Sequence, residues 1–376
     1  MKDNALNKEE YKRYSRHLVL KDFGEKGQLR LKNSSVLVVG SGGLGSPVLS
    51  YLTAAGVGRI GIADFDSVSI SNLQRQVLFC DADIDMNKAE RAVHHLQLLN
   101  PLIQFQSIDK KIDSSNALEI LKGFDVIVDC TDNFPTRYLL NDASILLNIP
   151  LVFGSIHQYE GQVSVFNVQK PDGSFSSSYR DLFPHPPEPG SVPDCSEAGV
   201  LGVLPGIIGS LQANEAIKLL TQTGELLTDK LLIFDSQCTE FTTVEIPNRN
   251  SRDSISDLID YEAYCNSSNA HQAEVSVLEL QKFIASKKEF VLIDIRPTFE
   301  FEAGNLGGIN IPMDEIPNSI DLLSKKKKTI IHCKHGTSSA KIINWLNTHH
   351  GYSNLINLKG GIQAWKNQID NSIEVL

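Results

Sequence analysis

Val36-Leu37-Val38-Val39-Gly40-Ser41-Gly42-Gly43-Leu44-Gly45 decides how the first two thirds of this chain fold. Val36 to Val39 is an apolar, β-branched run that reads as a buried strand, and Ser46 to Ala55 reads as the helix that follows it. Between them the glycines let backbone approach a phosphate at a helix N-terminus. Working outward, Arg59-Ile60-Gly61-Ile62-Ala63 predicts a second strand ending at Asp64, an acid placed for a ribose hydroxyl. Lys88 to Leu99 predicts a helix that stops before Pro101, and Asp125 to Asp129 predicts another buried strand. Strands alternating with helices imply an α/β fold with a doubly wound, largely parallel sheet, Rossmann-like in its glycine turn. Upstream, residues 8–32 are amphipathic and charged, as a helical arm would be, and carry Arg13-Tyr14-Ser15-Arg16.

The composition changes twice downstream. Lys170 to Pro193 is rich in Ser, Pro and Gly, as a functional crossing loop or a disordered stretch would be. Gly199 to Leu220 then returns to a helical pattern. Residues 248–271 are polar and Asn/Ser-rich, which predicts a linker between a domain over 1–247 and a smaller α/β domain over 272–376. A chain of 376 residues is long enough for two cores. The formal charge of −10 argues against a nucleic-acid partner, since a general binder needs a basic face. The N-terminus lacks a signal-peptide core and no apolar run could span a bilayer, so the expectation is a cytoplasmic protein with no membrane partner. The six cysteines form no CxxC pair, so local sequence must decide which thiol reacts.

The glycine turn alone equally suits a nicotinamide or flavin oxidoreductase. Hydride transfer, however, needs no cations around the phosphates. Ser71-Asn72-Leu73-Gln74-Arg75-Gln76 places a guanidinium soon after the second strand, and Lys88 adds an ammonium at a helix start. Those charges suit negative charge that develops as pyrophosphate leaves. Asp132, just past Asp129-Cys130-Thr131, is placed to hold Mg²⁺ or to orient an attacking carboxylate.

With Ala63-Asp64-Phe65-Asp66, Asn87-Lys88-Ala89 and Asp129-Cys130-Thr131-Asp132-Asn133 in the same order and spacing, residues 8–247 resemble the MoeB/ThiF family of adenylyltransferases. The resemblance implies a domain of the ubiquitin-activating type. It would use ATP to adenylate the C-terminal glycine of a small ubiquitin-like (β-grasp) sulfur carrier ending in Gly-Gly. It further implies that Gly40, Gly42, Gly43 and Gly45 approach the nucleotide and that Asp64 takes the ribose. Asn72, Arg75, Gln76 and Lys88 would take the phosphates and Asp132 the Mg²⁺. Arg16 would reach into a partner subunit's site, making the protein a homodimer. Cys195, in Val192-Pro193-Asp194-Cys195-Ser196-Glu197, matches the family's reactive thiol. Many members clamp a structural Zn²⁺ with two CxxC pairs; the matching stretches here are Ser178-Tyr179-Arg180-Asp181 and Ser251-Arg252-Asp253-Ser254, so no structural zinc is expected.

Residues 272–376 resemble a single rhodanese domain. The resemblance is carried by Val291 to Pro297, by Gly304 to Pro312, by Cys333-Lys334-His335-Gly336-Thr337 and by Leu358 to Trp365. Thr329 to His332 predicts a buried strand and Ser338 onward a helix, so Cys333 would sit in an anion nest at a helix N-terminus suited to a thiolate or persulfide. The loop departs from the Arg-Ser of many rhodaneses in reading Ser338-Ser339, which removes a cation beside the sulfur. Asp294 and Arg296 are expected to pair and brace the loop. Together the resemblances imply adenylation followed by sulfur transfer to a thiocarboxylate, with a cysteine desulfurase as sulfur donor. Molybdopterin synthesis is the first pathway, and thiazole (thiamine) synthesis or a purely docking role for the second domain are the alternatives.

Overall fold

A computed structural model describes residues 5–187, 199–266, 273–286 and 288–376. These fall into two compact units, the second taking in the chain from Cys265 onward.

The first unit is built on one eight-stranded sheet. Its strands are β1 (Ser35–Val39), β2 (Arg59–Ala63), β3 (Gln104–Ile108), β4 (Val126–Asp129), β5 (Leu151–His157), β6 (Glu160–Phe166), β7 (Lys230–Asp235) and β8 (Glu240–Glu245). The order is β3-β2-β1-β4-β5-β6-β7-β8. The first five strands run parallel, with Val36 opposite both Ile60 and Val126, while β6 to β8 turn back antiparallel. Every residue of β1 is buried, and each apolar side chain there removes enough surface from water to contribute roughly 1.5–3 kcal/mol. Chain order reverses beside β1, between β2 and β4, which opens a crevice beyond the carboxyl ends of β1 and β4.

The antiparallel half was not foreseen. Its hairpin turns at Gln158, a non-glycine residue with φ +51°, and β8 is exposed along its whole length, so neither turn chemistry nor an apolar alternation marks it. The expected arm is three helices, Lys8–Arg13, Ser15–Leu18 and Gly24–Lys32. Among the described residues no helix is long and apolar enough to cross a membrane.

The expected crossing loop is ordered over its described part. Ser178 caps a short helix, Tyr179–Leu182, and Tyr179 is buried. The expected linker also differs. Residues Tyr261–Asn266 form a helix, and the Tyr261 hydroxyl donates to Asp142 Oδ2 at 2.7 Å, on the carboxylate that Arg180 grips through Nη2 at 2.7 Å and Nε at 2.8 Å. A buried ion pair therefore draws this segment onto the first unit, a contact invisible in its polar composition.

Ser178, Asp181, Ser251 and Ser254 come together through hydrogen bonds. Ser178 Oγ and Ser251 Oγ lie 2.6 Å apart. Asp181, buried, accepts from the backbone N–H groups of Ser178 (2.7 Å), Arg249 (2.9 Å) and Ser251 (3.2 Å), and Ser254 Oγ donates to the Ser251 carbonyl at 2.7 Å. The Ser178–Ser251 contact and the Asp181 carboxylate thus tie two chain segments together.

The second unit holds five parallel strands, β9 (Glu274–Val275), β10 (Val291–Asp294), β11 (Ile309–Asn310), β12 (Thr329–His332) and β13 (Leu355–Leu358), in the order β11-β10-β12-β13-β9. Ile293, Ile331, Ile343 and Leu346 fill one face of its core, and Leu280, Ile330, Leu358 and Trp365 the other.

Candidate active site

The glycine turn leaves β1 at Gly40, whose φ is +90° and whose Cβ, were there one, would stand 2.6 Å from the Cys130 carbonyl oxygen. Only glycine lets the turn press that close to the end of β4. The Gly45–Ala55 helix then begins with no side chain capping its first N–H groups, which leaves the positive end of its dipole at the crevice.

Ser41, between the glycines, fixes the acid at the end of β2. Its N–H and hydroxyl donate to Asp64 Oδ2 at 2.8 and 2.9 Å, while Asp64 Oδ1 accepts from Asp66 N–H at 3.0 Å. Asp66 in turn pairs with Lys88, whose ammonium is 3.1 Å from Oδ2 and whose side chain is buried. Asn87 caps the Lys88–Leu99 helix and donates to the Asp64 carbonyl at 3.2 Å. One network thus carries Ser41, Asp64, Asp66, Asn87 and Lys88.

The Asn72 carbonyl accepts from the N–H groups of Arg75 (3.1 Å) and Gln76 (2.9 Å), folding that segment into a tight turn, and Asn72 Oδ1 accepts from Ser69 N–H at 3.2 Å. The turn lays both side chains on the glycine loop: Arg75 Cγ is 3.6 Å from the place of a Gly43 Cβ, and Gln76 Nε2 is 3.3 Å from that of Gly42. Arg75 donates to the Ser71 carbonyl at 3.0 Å, and no carboxylate pairs with it among the described residues. Gln76 is buried, and its Oε1 has no hydrogen-bond partner.

At the end of β4, Asp129 is buried, which pushes its carboxyl above the usual carboxylate range against the pull of Arg137; its Oδ1 accepts from Thr131 N–H (2.9 Å) and Oγ1 (2.6 Å). Arg137 donates to the Thr131 carbonyl at 3.1 Å, so the turn that carries Asp132 is held from both sides. Asp132 itself is exposed and pairs with no cation among the described residues. Its free carboxylate oxygens suit a hard divalent ion. Gln212 donates to the Asp129 carbonyl at 2.7 Å.

The structure therefore brings together the glycine turn, Asp64, Arg75 and Gln76, and ties Lys88 to them through Asp66. It leaves Arg16 exposed on the Ser15–Leu18 helix, and Cys195 lies outside the described residues. Ser41, Asp66, Arg137 and Gln212 went unread; Ser41 lay inside the quoted turn and Asp66 two residues past Asp64, but their pairings appear only in three dimensions.

Elsewhere in this unit Cys80, Asp83 and His95 place their ligand atoms within 4.8 Å of one another. Asp83 is already taken by donors: Arg91 Nε on Oδ1 at 2.6 Å, and His95 (2.7 Å) and Cys80 N–H (2.9 Å) on Oδ2. Burial alone would raise the Asp83 carboxyl, but these hydrogen bonds outweigh it and hold it well below the usual range.

In the second unit β12 ends at His332, and Cys333 follows, buried. Gly336, at φ +84°, has its α-carbon so close to the Leu358–Gly361 turn that a Cβ would meet Gly360 N and Leu358 O at 2.8 Å each. That conformation turns the Gly336 N–H onto Cys333 Sγ at 3.1 Å, at the start of the Thr337–His350 helix. Ser339 Oγ lies 3.5 Å from the same sulfur. Behind the loop, Arg296 grips Asp294 through Nη2 at 2.6 Å and Nε at 3.0 Å, as expected, and also donates to the Gly304 carbonyl at 2.7 Å. His332 is fully buried, which lowers its imidazole below the ordinary value although Asp294 is 3.8 Å away.

The chain thus joins an α/β unit with a glycine-turn crevice to a smaller α/β unit with a buried cysteine loop. The chain belongs to the ThiF family, whose model matches residues 14–255, and residues 276–368 match a rhodanese-like domain. It is 43% identical to the probable adenylyltransferase/sulfurtransferase MoeZ of Mycobacterium tuberculosis, covering 97% of this chain and 95% of that one. It is 50% identical to the sulfur carrier protein adenylyltransferase of Thermus thermophilus, over 69% of this chain and 97% of the relative. Adenylyltransferase and sulfurtransferase MOCS3 of Drosophila virilis is 37% identical over 99% of this chain and 86% of its own. Crystal structures of PaaA and of Escherichia coli MccB with ATP share the fold, with TM-scores of 0.55 and 0.53 at 22% and 20% identity; they cover 65% and 64% of this chain, and 76% and 73% of their own.

Proposed function

We propose that this chain uses ATP to adenylate the C-terminal glycine of a small β-grasp sulfur carrier ending in Gly-Gly, and that its rhodanese-like domain supplies the sulfur that converts the product to a thiocarboxylate. The observation that carries this reading is Arg75, a guanidinium laid on a glycine turn with no carboxylate to neutralise it. Charge left free at that spot suits phosphates and has no use in hydride transfer. The names carried by the relatives, adenylyltransferase, sulfurtransferase and sulfur carrier protein adenylyltransferase, point the same way.

In the adenylation step a carboxylate oxygen of the carrier attacks the α-phosphorus and pyrophosphate leaves. Gly40 shapes the turn, the N–H groups of Gly42, Gly43 and Gly45 donate to phosphate oxygens, and Asn72, Arg75, Gln76 and Lys88 stabilise the charge on the leaving group. Asp64, held by Ser41, faces the ribose. Asp132 would hold Mg²⁺, which supplies further neutralisation of the phosphates when bound. In the transfer step the terminal sulfur of a Cys333 persulfide attacks the acyl carbon and AMP leaves, giving an acyl disulfide. A second thiol then attacks the Cys333 sulfur, releasing the thiocarboxylate and leaving a protein disulfide for a cellular thiol to reduce; Cys195 is the candidate. A cysteine desulfurase reloads Cys333. Arg16, exposed on a short helix, fits a role across a homodimer in the cytoplasm.

Of the pathways that use such carriers, molybdopterin synthesis is our first choice, since MoeZ and MOCS3, named adenylyltransferase and sulfurtransferase, match nearly the whole of this chain. ATP–pyrophosphate exchange with molybdopterin-type and thiamine-type carriers, added separately, tests the reading. Exchange is expected with the former. Exchange with only the thiamine-type carrier would move the pathway, and exchange with neither would overturn the adenylation reading. Cys333→Ala should leave exchange intact and abolish thiocarboxylate formation from a persulfide donor; unchanged formation would reduce the second domain to a docking module.

A further inference from the structure

The Cys333 loop reads Ser338-Ser339 where many rhodaneses offer an arginine, so something else must stabilise negative charge on the sulfur. Lys334, next in the chain, turns its ammonium to the Leu376 carbonyl. The Gly336 N–H reaches Sγ at 3.1 Å, and the Ser339 hydroxyl lies 3.5 Å from it. Cys333, Ser339 and Asn357 are 5%, 0% and 2% exposed, so water does not compete for these bonds.

Ser339 Oγ also lies 2.7 Å from Asn357 Oδ1. The hydroxyl owns one proton, and the amide oxygen can only accept. The amide is oriented by its other end, since Nδ2 donates to Glu274 Oε1 at 3.2 Å. The single proton therefore has two destinations, a neutral carbonyl oxygen on β13 and the sulfur. A neutral thiol leaves it on Asn357, and an anionic sulfur draws it across, because a hydrogen bond to a charged acceptor is about twice as strong as one to a neutral acceptor.

The geometry points to Ser339 as the hydroxyl that stabilises Cys333 sulfur in its anionic form, thiolate or persulfide, with Asn357 as a positioning residue that holds the hydroxyl proton while the sulfur is neutral. This rests on reading Cys333 as the sulfur-bearing residue. The charged and titratable groups around the loop include Lys334 and His335 within it, His332 with Asp294, Arg296 and Glu300 behind it, and Glu274 with Lys359 beyond Asn357.

The test is the pH dependence of Cys333 alkylation by iodoacetamide in the full chain, followed by peptide mass so that other thiols do not interfere. Ser339→Ala should raise the apparent thiol pKa by about one unit, a roughly tenfold slower reaction at neutral pH. Asn357→Ala should shift it the other way, because the proton loses its resting place. Ser339→Thr keeps the hydroxyl and should restore the parent profile. A purely structural pair would move both alanine variants in one direction; that result, or an unchanged profile in Ser339→Ala, overturns the proposal. Sulfur transfer is scored separately: wild-type protein that fails to transfer while the opposed shifts persist would sink the transfer reading alone, and the reverse pattern would sink this one alone.

Discussion

Arg75 and Lys88 are both cations at the same crevice, yet their states differ. Lys88 is buried against Asp66, so its charge is half spent on a neighbour, while Arg75 has only a carbonyl. Arg75→Ala is therefore expected to lower the pyrophosphate-exchange rate by about 100-fold or more without loss of fold, and Arg75→Lys to recover it only partly, as measured by exchange kinetics and circular dichroism. Asp83 is the residue to watch in acid. Its carboxyl is depressed in the folded state, so the stability it contributes is present at neutral pH. That stability is lost as pH falls below ~4, where the unfolded chain takes up a proton that the folded one resists. Asp83→Asn should lose about 2 kcal/mol at pH 7 and show a flatter acid slope in urea titrations at pH 7 and below 4. At this scale the sequence named the residue types that meet at the crevice, because spacing along strands and turns is local. It could not pair Lys88 with Asp66 or set Ser41 on Asp64, since those contacts join segments that only folding brings together.

The elements next to the glycine turn and the cysteine loop were the most legible. Arg59–Ala63, Lys88–Leu99 and Thr329–His332 have the bounds their apolar patterns predict, and the helices after the glycine and cysteine loops each start one residue earlier than read. What stayed hidden were the antiparallel pairing of the buried β5 and β6, the exposed β8, and the packing of 248–266, where a buried Arg180–Asp142–Tyr261 cluster replaces periodicity. The Asp181 clasp belongs to this scale too. Asp181→Ala would remove the acceptor of three backbone N–H donors, the Ser178 N–H among them buried, and should cost about 1–3 kcal/mol in urea unfolding of the full chain. Overnight EDTA should leave the wild-type melting temperature unchanged, because oxygens already joined to one another hold the two segments.

Over the whole molecule, the division into two units predicts a division of labour. A chain ending at residue 266 keeps the Tyr261 helix and every crevice residue described, and the Thermus thermophilus relative matches over 69% of this chain. Such a truncation should retain pyrophosphate exchange within about threefold while losing all persulfide chemistry; a truncated protein that folds but does not exchange would show that the second unit serves adenylation as well. The hydroxyl-and-carboxylate clasp carries one more consequence, for the cell rather than the molecule. A junction held by thiolates depends on their staying reduced. Here serine hydroxyls and a carboxylate close the junction on backbone N–H groups, so an oxidant that consumes thiols would leave the clasp itself intact.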